Sequence, residues 1–115
     1  MTELAKEQCV PCRGGESALD TVEMNALLPL TPEWHVDDSR GFATLTRTFK
    51  VKAFAGALKL ANQIGLAADE VDHHPELRVE YGRLTVTWWT HTIPGLHRND
   101  FIMAARTDSL FENLR

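Results

Sequence analysis

Several features are scarce in this chain, and each scarcity narrows what it can be. No run of apolar residues approaches the roughly 20 needed to cross a bilayer. The stretch from Met1 to Gln8 is polar and charged, without the apolar core of a secretion signal. The expectation is a soluble cytoplasmic protein with no membrane role. Positive charge is not in excess: 12 Lys and Arg stand against 16 Asp and Glu, giving a net charge of −4. That balance argues against a general electrostatic grip on nucleic acid. Internal repeats and low-complexity tracts are missing. With 43% hydrophobic and 24% charged residues, the composition is that of a folded chain. A length of 115 residues suits one domain with one core.

Cysteine is nearly absent as well. Cys9 and Cys12 are spaced as a redox pair or half a zinc site would be. A redox motif should follow a strand and open a helix, and a structural zinc site needs two more ligands. The pair instead precedes Arg13-Gly14-Gly15, so reduced thiols in a mobile arm are expected, dispensable for activity. Residues 1–16 are read as this arm and residues 17–115 as the domain.

Within the domain, Asp20 with Glu23 fits a capping box, predicting a short helix from about Thr21 to Leu28 that stops at Pro29. Trp34 and Val36 alternate with polar neighbours. Asp37-Asp38-Ser39-Arg40-Gly41 is turn chemistry. Leu45, Arg47 and Phe49 alternate with Thr44, Thr46 and Thr48. These segments predict a first hairpin. From Val51 to about Ala68, Val51, Phe54, Leu58, Ala61 and Ile64 recur at helical steps. Glu76–Tyr81 and Leu84–Thr90 predict a second hairpin around a Gly82-Arg83 turn, with Leu77 opposite Trp88 and, by extension, His74 opposite His91. A last helix is expected from near Asn99 or Asp100. The fold class is therefore α+β: a four-stranded antiparallel sheet with about three helices on one face, in the order α-β-β-α-β-β-α. The other face would carry Arg78, Glu80, Thr85, Thr87 and Trp89, either solvated or used between subunits.

What the chain does have is a concentration of histidine and carboxylate: Asp69, Asp72, His73, His74 and Pro75, then Tyr81, His91 and Asp100. Three of the five histidines lie around one hairpin. Histidine gives and takes protons near neutral pH, so the cluster points to acid–base chemistry or to a metal. Adjacent residues in an extended segment face opposite ways, so His73 and His74 are poorly placed to hold one ion together. No metal is expected. Taken singly, these residues have plainer readings: a polar loop, a strand-start proline, a core-edge aromatic, a helix-start aspartate favoured by the dipole.

The set as a whole resembles the pterin-4a-carbinolamine dehydratases. That family's pattern is an acidic residue, three intervening positions and His-His-Pro. An aromatic follows, then a histidine ending the next strand, then an aspartate opening the last helix. Asp69, His73, His74, Pro75, Tyr81, His91 and Asp100 stand at those spacings, and Arg47-Thr48-Phe49 with Phe54 resemble the family's second strand and helix start. The resemblance covers roughly residues 17–112. Leu77 stands where many members have tryptophan, Pro94 replaces a usual glycine, and His97 stands where a capping Ser or Thr is common.

The resemblance implies a cofactor-free hydro-lyase that dehydrates 4a-hydroxytetrahydropterin to quinonoid dihydropterin in tetrahydropterin recycling. His73, His74, His91 and Asp100 would be catalytic. Asp69, Asp72, Pro75 and Tyr81 would bind substrate. It also implies a homodimer or homotetramer, since two sheet edges are left unpaired and edges invite a second copy. Two other roles stay open: a non-catalytic dimerisation partner, as animal members of the family are for a transcription factor, and a pterin role in molybdenum-cofactor metabolism.

Overall fold

A computed structural model describes residues 3–10 and 17–114. Helix α1 (Thr21–Leu27) is capped at Asp20, whose Oδ1 accepts from the Glu23 N–H at 2.8 Å while Glu23 accepts from the Asp20 N–H at 3.0 Å. This is the predicted capping box. The chain does not stop at Pro29 but makes one further 3₁₀ turn, Leu28–Leu30. Proline is tolerated there because the first turn of a helix needs no N–H from it.

Strands β1 (His35–Asp37), β2 (Thr44–Lys50), β3 (Glu76–Glu80) and β4 (Arg83–Trp88) form one antiparallel sheet in the order β1-β2-β4-β3. Helices α2 (Ala53–Val71) and α3 (Arg98–Leu114) pack on each other and on the sheet, completing the order α-β-β-α-β-β-α. Leu45, Phe49, Leu84, Val86 and Trp88 supply the sheet side of the core. The opposite face is polar, with the hydroxyls of Thr46 and Thr87 3.1 Å apart and those of Thr48 and Thr85 3.0 Å apart. Such cross-strand pairs help fix register on a face without apolar burial. Among the described residues, no helix is long and apolar enough to cross a membrane.

Two expectations are corrected. The second hairpin turns at Tyr81-Gly82, so Glu80 pairs with Arg83, Val79 with Leu84 and Leu77 with Val86. Gly82 has φ +76°, taking the turn position that needs a positive angle. This register is two residues away from the predicted one. A two-residue slip leaves the same side chains on each face, so burial alone could not tell the two apart. The buried stripe of α2 is also turned from the predicted one. Ala57, Leu60, Ala61, Ile64 and Ala68 face the core, while Phe54 and Leu58 are exposed. The small alanines let α2 approach its neighbours closely, and the larger residues fall outside.

Residues 3–10 are docked rather than trailing. Leu4–Lys6 form a 3₁₀ turn, and Leu4 is buried in the core. Cys12, Gly14 and Gly15 lie outside the described residues.

Candidate active site

Three backbone features bring the histidines together. At the end of α2 the chain reverses through Asp72, which adopts the left-handed conformation (φ +51°, ψ 44°). Aspartate tolerates this region better than most residues. The His73 N–H then bonds back to the Ala68 carbonyl at 3.2 Å, closing the helix and aiming the chain into β3. After β4, the Thr90 N–H bonds to the Gly95 carbonyl at 2.8 Å, folding residues 90–95 into a compact loop. Glycine is required at 95, because a Cβ there would lie 2.8 Å from that of Ala18. Finally, α3 opens with a cap built on His97. Its backbone N–H donates to Asp100 Oδ2 at 2.9 Å, and its ring Nδ1 accepts from the Asn99 N–H at 3.1 Å. This is the reciprocal logic of a capping box, with imidazole in place of a hydroxyl.

The cap has a consequence for Asp100. This carboxylate is wholly buried and gathers three partners from three segments. Oδ2 accepts from the Thr90 hydroxyl at 2.8 Å and from the His97 N–H at 2.9 Å, while Oδ1 lies 2.6 Å from His73 Nε2. With an ionised carboxylate, which only accepts, His73 donates its Nε2–H, leaving Nδ1 as the other ring nitrogen. His73 is 9% exposed, and its ring stacks on Trp88 with centroids 5.6 Å apart and planes at 7°. Its position is thus set by neighbours on two sides.

His74 and His91 sit differently. His74 is exposed, with Nε2 2.9 Å from Asp69 Oδ1 and Nδ1 4.0 Å from Asp72 Oδ1. His91 is exposed and stacks on Trp89 with centroids 4.6 Å apart. Trp89 in turn lies under the Arg40 guanidinium, 4.9 Å from its ring centroid. Arg40 is fixed by a fork onto Glu76, one arm of which measures 3.1 Å. The Glu76 carboxyl is held below the usual range by these hydrogen bonds and the Arg40 charge.

All three histidines line one cleft of about 790 Å³, together with Asp72, Thr90 and Thr92. Its other walls are Asn99 and Arg106 from α3 and Gln8, Cys9 and Val10 from the N-terminal segment. Such a volume is in the range that holds a small organic ligand. Asp69 and Pro75 border a neighbouring hollow of about 520 Å³ on the far side of His74. Another cleft, of about 800 Å³, is lined by residues such as Arg47, Lys50, Lys59 and Phe111 and contains none of the expected site residues.

Of the expected site residues, His73, His74, His91 and Asp72 thus share the cleft, and Asp100 stands directly behind His73. Asp69 reaches it through His74. Tyr81 is not brought to the cluster: it occupies the turn at the opposite end of the second hairpin and is 79% exposed. Sequence reasoning missed Thr90 and the N-terminal wall, and it placed His97 at the capping position without foreseeing that its ring does the capping. Thr90 could have been found from its place one residue before His91 at a strand end. The wall left no such signal.

The fold is a four-stranded antiparallel sheet backed by two long helices, and its candidate site is a histidine–carboxylate cluster at one end of the sheet. The chain belongs to the pterin 4 alpha carbinolamine dehydratase family, whose model matches residues 17–110. A protein of Microcystis aeruginosa, provisionally named pterin-4-alpha-carbinolamine dehydratase, is 44% identical over 111 residues, covering 96% of each chain. One from Chlorobium limicola, with the same provisional name, is 47% identical over 112 residues, covering 97% of this chain and 99% of its own. A crystal structure described as a transcriptional coactivator/pterin dehydratase from Brucella melitensis matches with a TM-score of 0.74 and 35% identity. It covers 82% of this chain and 98% of its own.

Proposed function

We propose that this protein dehydrates 4a-hydroxytetrahydropterin to the quinonoid dihydropterin by histidine acid–base catalysis, within tetrahydropterin recycling. The observation that carries the reading is the buried His73–Asp100 pair opening onto a cleft shared with His74 and His91. The reaction breaks the C4a–O bond and the N–H bond of the adjacent ring nitrogen, and forms a C=N double bond and water. Hydroxide leaves poorly unless protonated, and the ring nitrogen must lose a proton. Two proton transfers and no change of oxidation state are needed, so side chains alone meet the demand. Each positioned acid or base contributes about 10²–10⁴-fold.

His73 and His91 are the principal proton-transfer residues in this reading. Asp100 orients His73 through the bond to its Nε2. His74, steadied by Asp69, holds the pterin, with Asp72 and Pro75 bordering it. Tyr81 would reach a site only in another copy of the chain. We further infer that the protein is at least a homodimer, since β1 and β3 are sheet edges with unpaired backbone groups. Light scattering at micromolar concentration checks this: a 12.9 kDa monomer with full activity contradicts it. The catalytic test is direct assay of purified protein with the 4a-hydroxy pterin. Turnover supports the reading, and a lack of turnover by folded protein overturns it.

One observation favours a second reading, a non-catalytic binding partner. Phe54, Leu58 and Leu66 follow one another at four- and eight-residue steps along α2 and are all exposed. A stoichiometric helical protein co-purifying with a chain that turns over no pterin would select this alternative.

A further inference from the structure

The N-terminal segment lies before the residues matched by the family model, which begin at 17. Nothing in that match assigns it a role, and the place of its cysteines ahead of Arg13-Gly14-Gly15 had pointed to an arm outside the site. The structure gives it a fixed course. Leu4 is 2% exposed and buried in the core. Arg106 donates from Nε to the Ala5 carbonyl at 3.1 Å and from Nη2 to the Glu7 carbonyl. Arg98 grips the Glu7 carboxylate with two bonds, 2.8 and 2.7 Å. Asn99 accepts from the Val10 N–H at 3.0 Å and donates to the Val10 carbonyl at 2.6 Å, imitating the partner strand of a sheet.

These contacts form a strap held at several points along its length. Burial of Leu4 anchors one end by taking its side chain out of water. The fork on Glu7 and the paired bonds of Asn99 add direction, because each fixes two atoms at once. Asn99 is moreover the residue next to Asp100, so the first turn of α3 sets the strap and the carboxylate behind His73 together. Between the clamps, Gln8 and Cys9 line the cleft that His73, His74 and His91 line from the other side.

We propose that residues 4–10 are a built wall of the substrate cleft, and that Gln8 and Cys9 contact the bound pterin and contribute to its binding. This rests on the dehydratase reading for the identity of the ligand, but not for the existence of the wall. A wall that touches ground state and transition state alike governs KM rather than kcat. Loss of its contacts, at about 1.4 kcal/mol, corresponds to about tenfold in KM.

The test uses the full-length chain carrying Cys12→Ser, so that Cys9 is the thiol that reacts with iodoacetamide. A saturating non-reacting reduced pterin is expected to slow alkylation of Cys9 about tenfold or more. Alkylation is expected to raise KM about tenfold with kcat changed much less. It is also expected to shift the imidazole NMR signals of His74 and His91. A Gln8→Ala variant should raise KM in the same sense.

An alkylation rate indifferent to pterin, in a protein that turns over the carbinolamine normally before and after labelling, overturns the proposal. Imidazole signals that do not move on alkylation overturn the wall itself. Signals that move in a protein that turns over no carbinolamine support the wall and overturn only the dehydratase reading.

Discussion

His73 and His74 are neighbours in the chain and opposites in setting. His73 lies against Trp88 with a wholly buried carboxylate behind it, while His74 stands in solvent beside the exposed Asp69. The difference comes from chain geometry. Asp72 turns the backbone out of α2, and the extended segment that follows sends successive side chains to opposite sides. Burial then acts unequally. A fully desolvated carboxylate must be hydrogen-bonded, and Asp100 is, three times over. An exposed pair such as His74–Asp69 is worth little, because water competes for both members. The inner histidine is therefore held in place and the outer one is exposed; in the proposed reaction the first would exchange protons and the second would meet the ligand.

The sharpest way to break this contrast is to truncate each ring. His73→Ala should lower kcat by about 10²–10⁴-fold, the usual worth of a positioned acid or base. His74→Ala should act mainly on KM, with kcat within about tenfold of the parent, as for a group that binds without exchanging the essential proton. Steady-state kinetics on folded variants reads both, and equal losses in kcat would erase the distinction between them.

Asp100→Asn probes the inner setting alone. It can turn an amide N–H toward His73 Nε2 where a carboxylate oxygen stood, so the ring should lose its fixed orientation and kcat should fall, with KM changed less. Thermal or urea unfolding should also show a loss of about 1–3 kcal/mol, since an amide cannot accept all three bonds without conflict. An unchanged kcat would leave Asp100 as a structural helix-start residue.

Asp72 stands at the pivot between the two histidines. Glycine satisfies its left-handed backbone at no steric cost, so Asp72→Gly isolates the carboxylate. The fold should be retained, with stability within about 1 kcal/mol of the parent. Any change in KM then reports the side chain alone.

The smallest effect concerns the support beneath His91. The Glu76 carboxyl is depressed first by hydrogen bonds from Arg40 and then by its charge. A carboxylate with a depressed folded pKa contributes stability that is fully present above its ordinary value, 4.5, and is lost as pH falls through the lower folded one. Both side chains are more than a third exposed, so the contribution should be below about 1 kcal/mol. Comparing parent and Glu76→Gln by urea unfolding, the difference should shrink as pH is lowered through 4.5.

Much of this arrangement was legible in the sequence where a local rule has one solution. The Asp20–Glu23 box, the alternation in β2 and β4 and the helical runs each had a single economical reading. The site was legible as a set because the spacing of Asp69, His73, His74, His91 and Asp100 resembles one family. What was not legible shares a cause: symmetry or distance. A hairpin slipped by two residues keeps its faces, so only the φ of Gly82 distinguishes the registers. The α2 stripe was misread because alanine carries little hydrophobic signal, yet alanines mark where packing is closest. The N-terminal wall depends on bonds from Arg98, Asn99 and Arg106, about 90 to 100 residues away in sequence, and no local pattern announces such pairings.

The central claim is that dehydration proceeds through His73 and His91 in this cleft. The most direct measurement is the rate of water loss from 4a-hydroxytetrahydropterin by the parent, His73→Ala and His91→Ala proteins at matched concentration, with folding checked by circular dichroism. The account predicts rapid turnover by the parent and a loss of about 10²-fold or more in each variant. Near-parental turnover in both folded variants would contradict it.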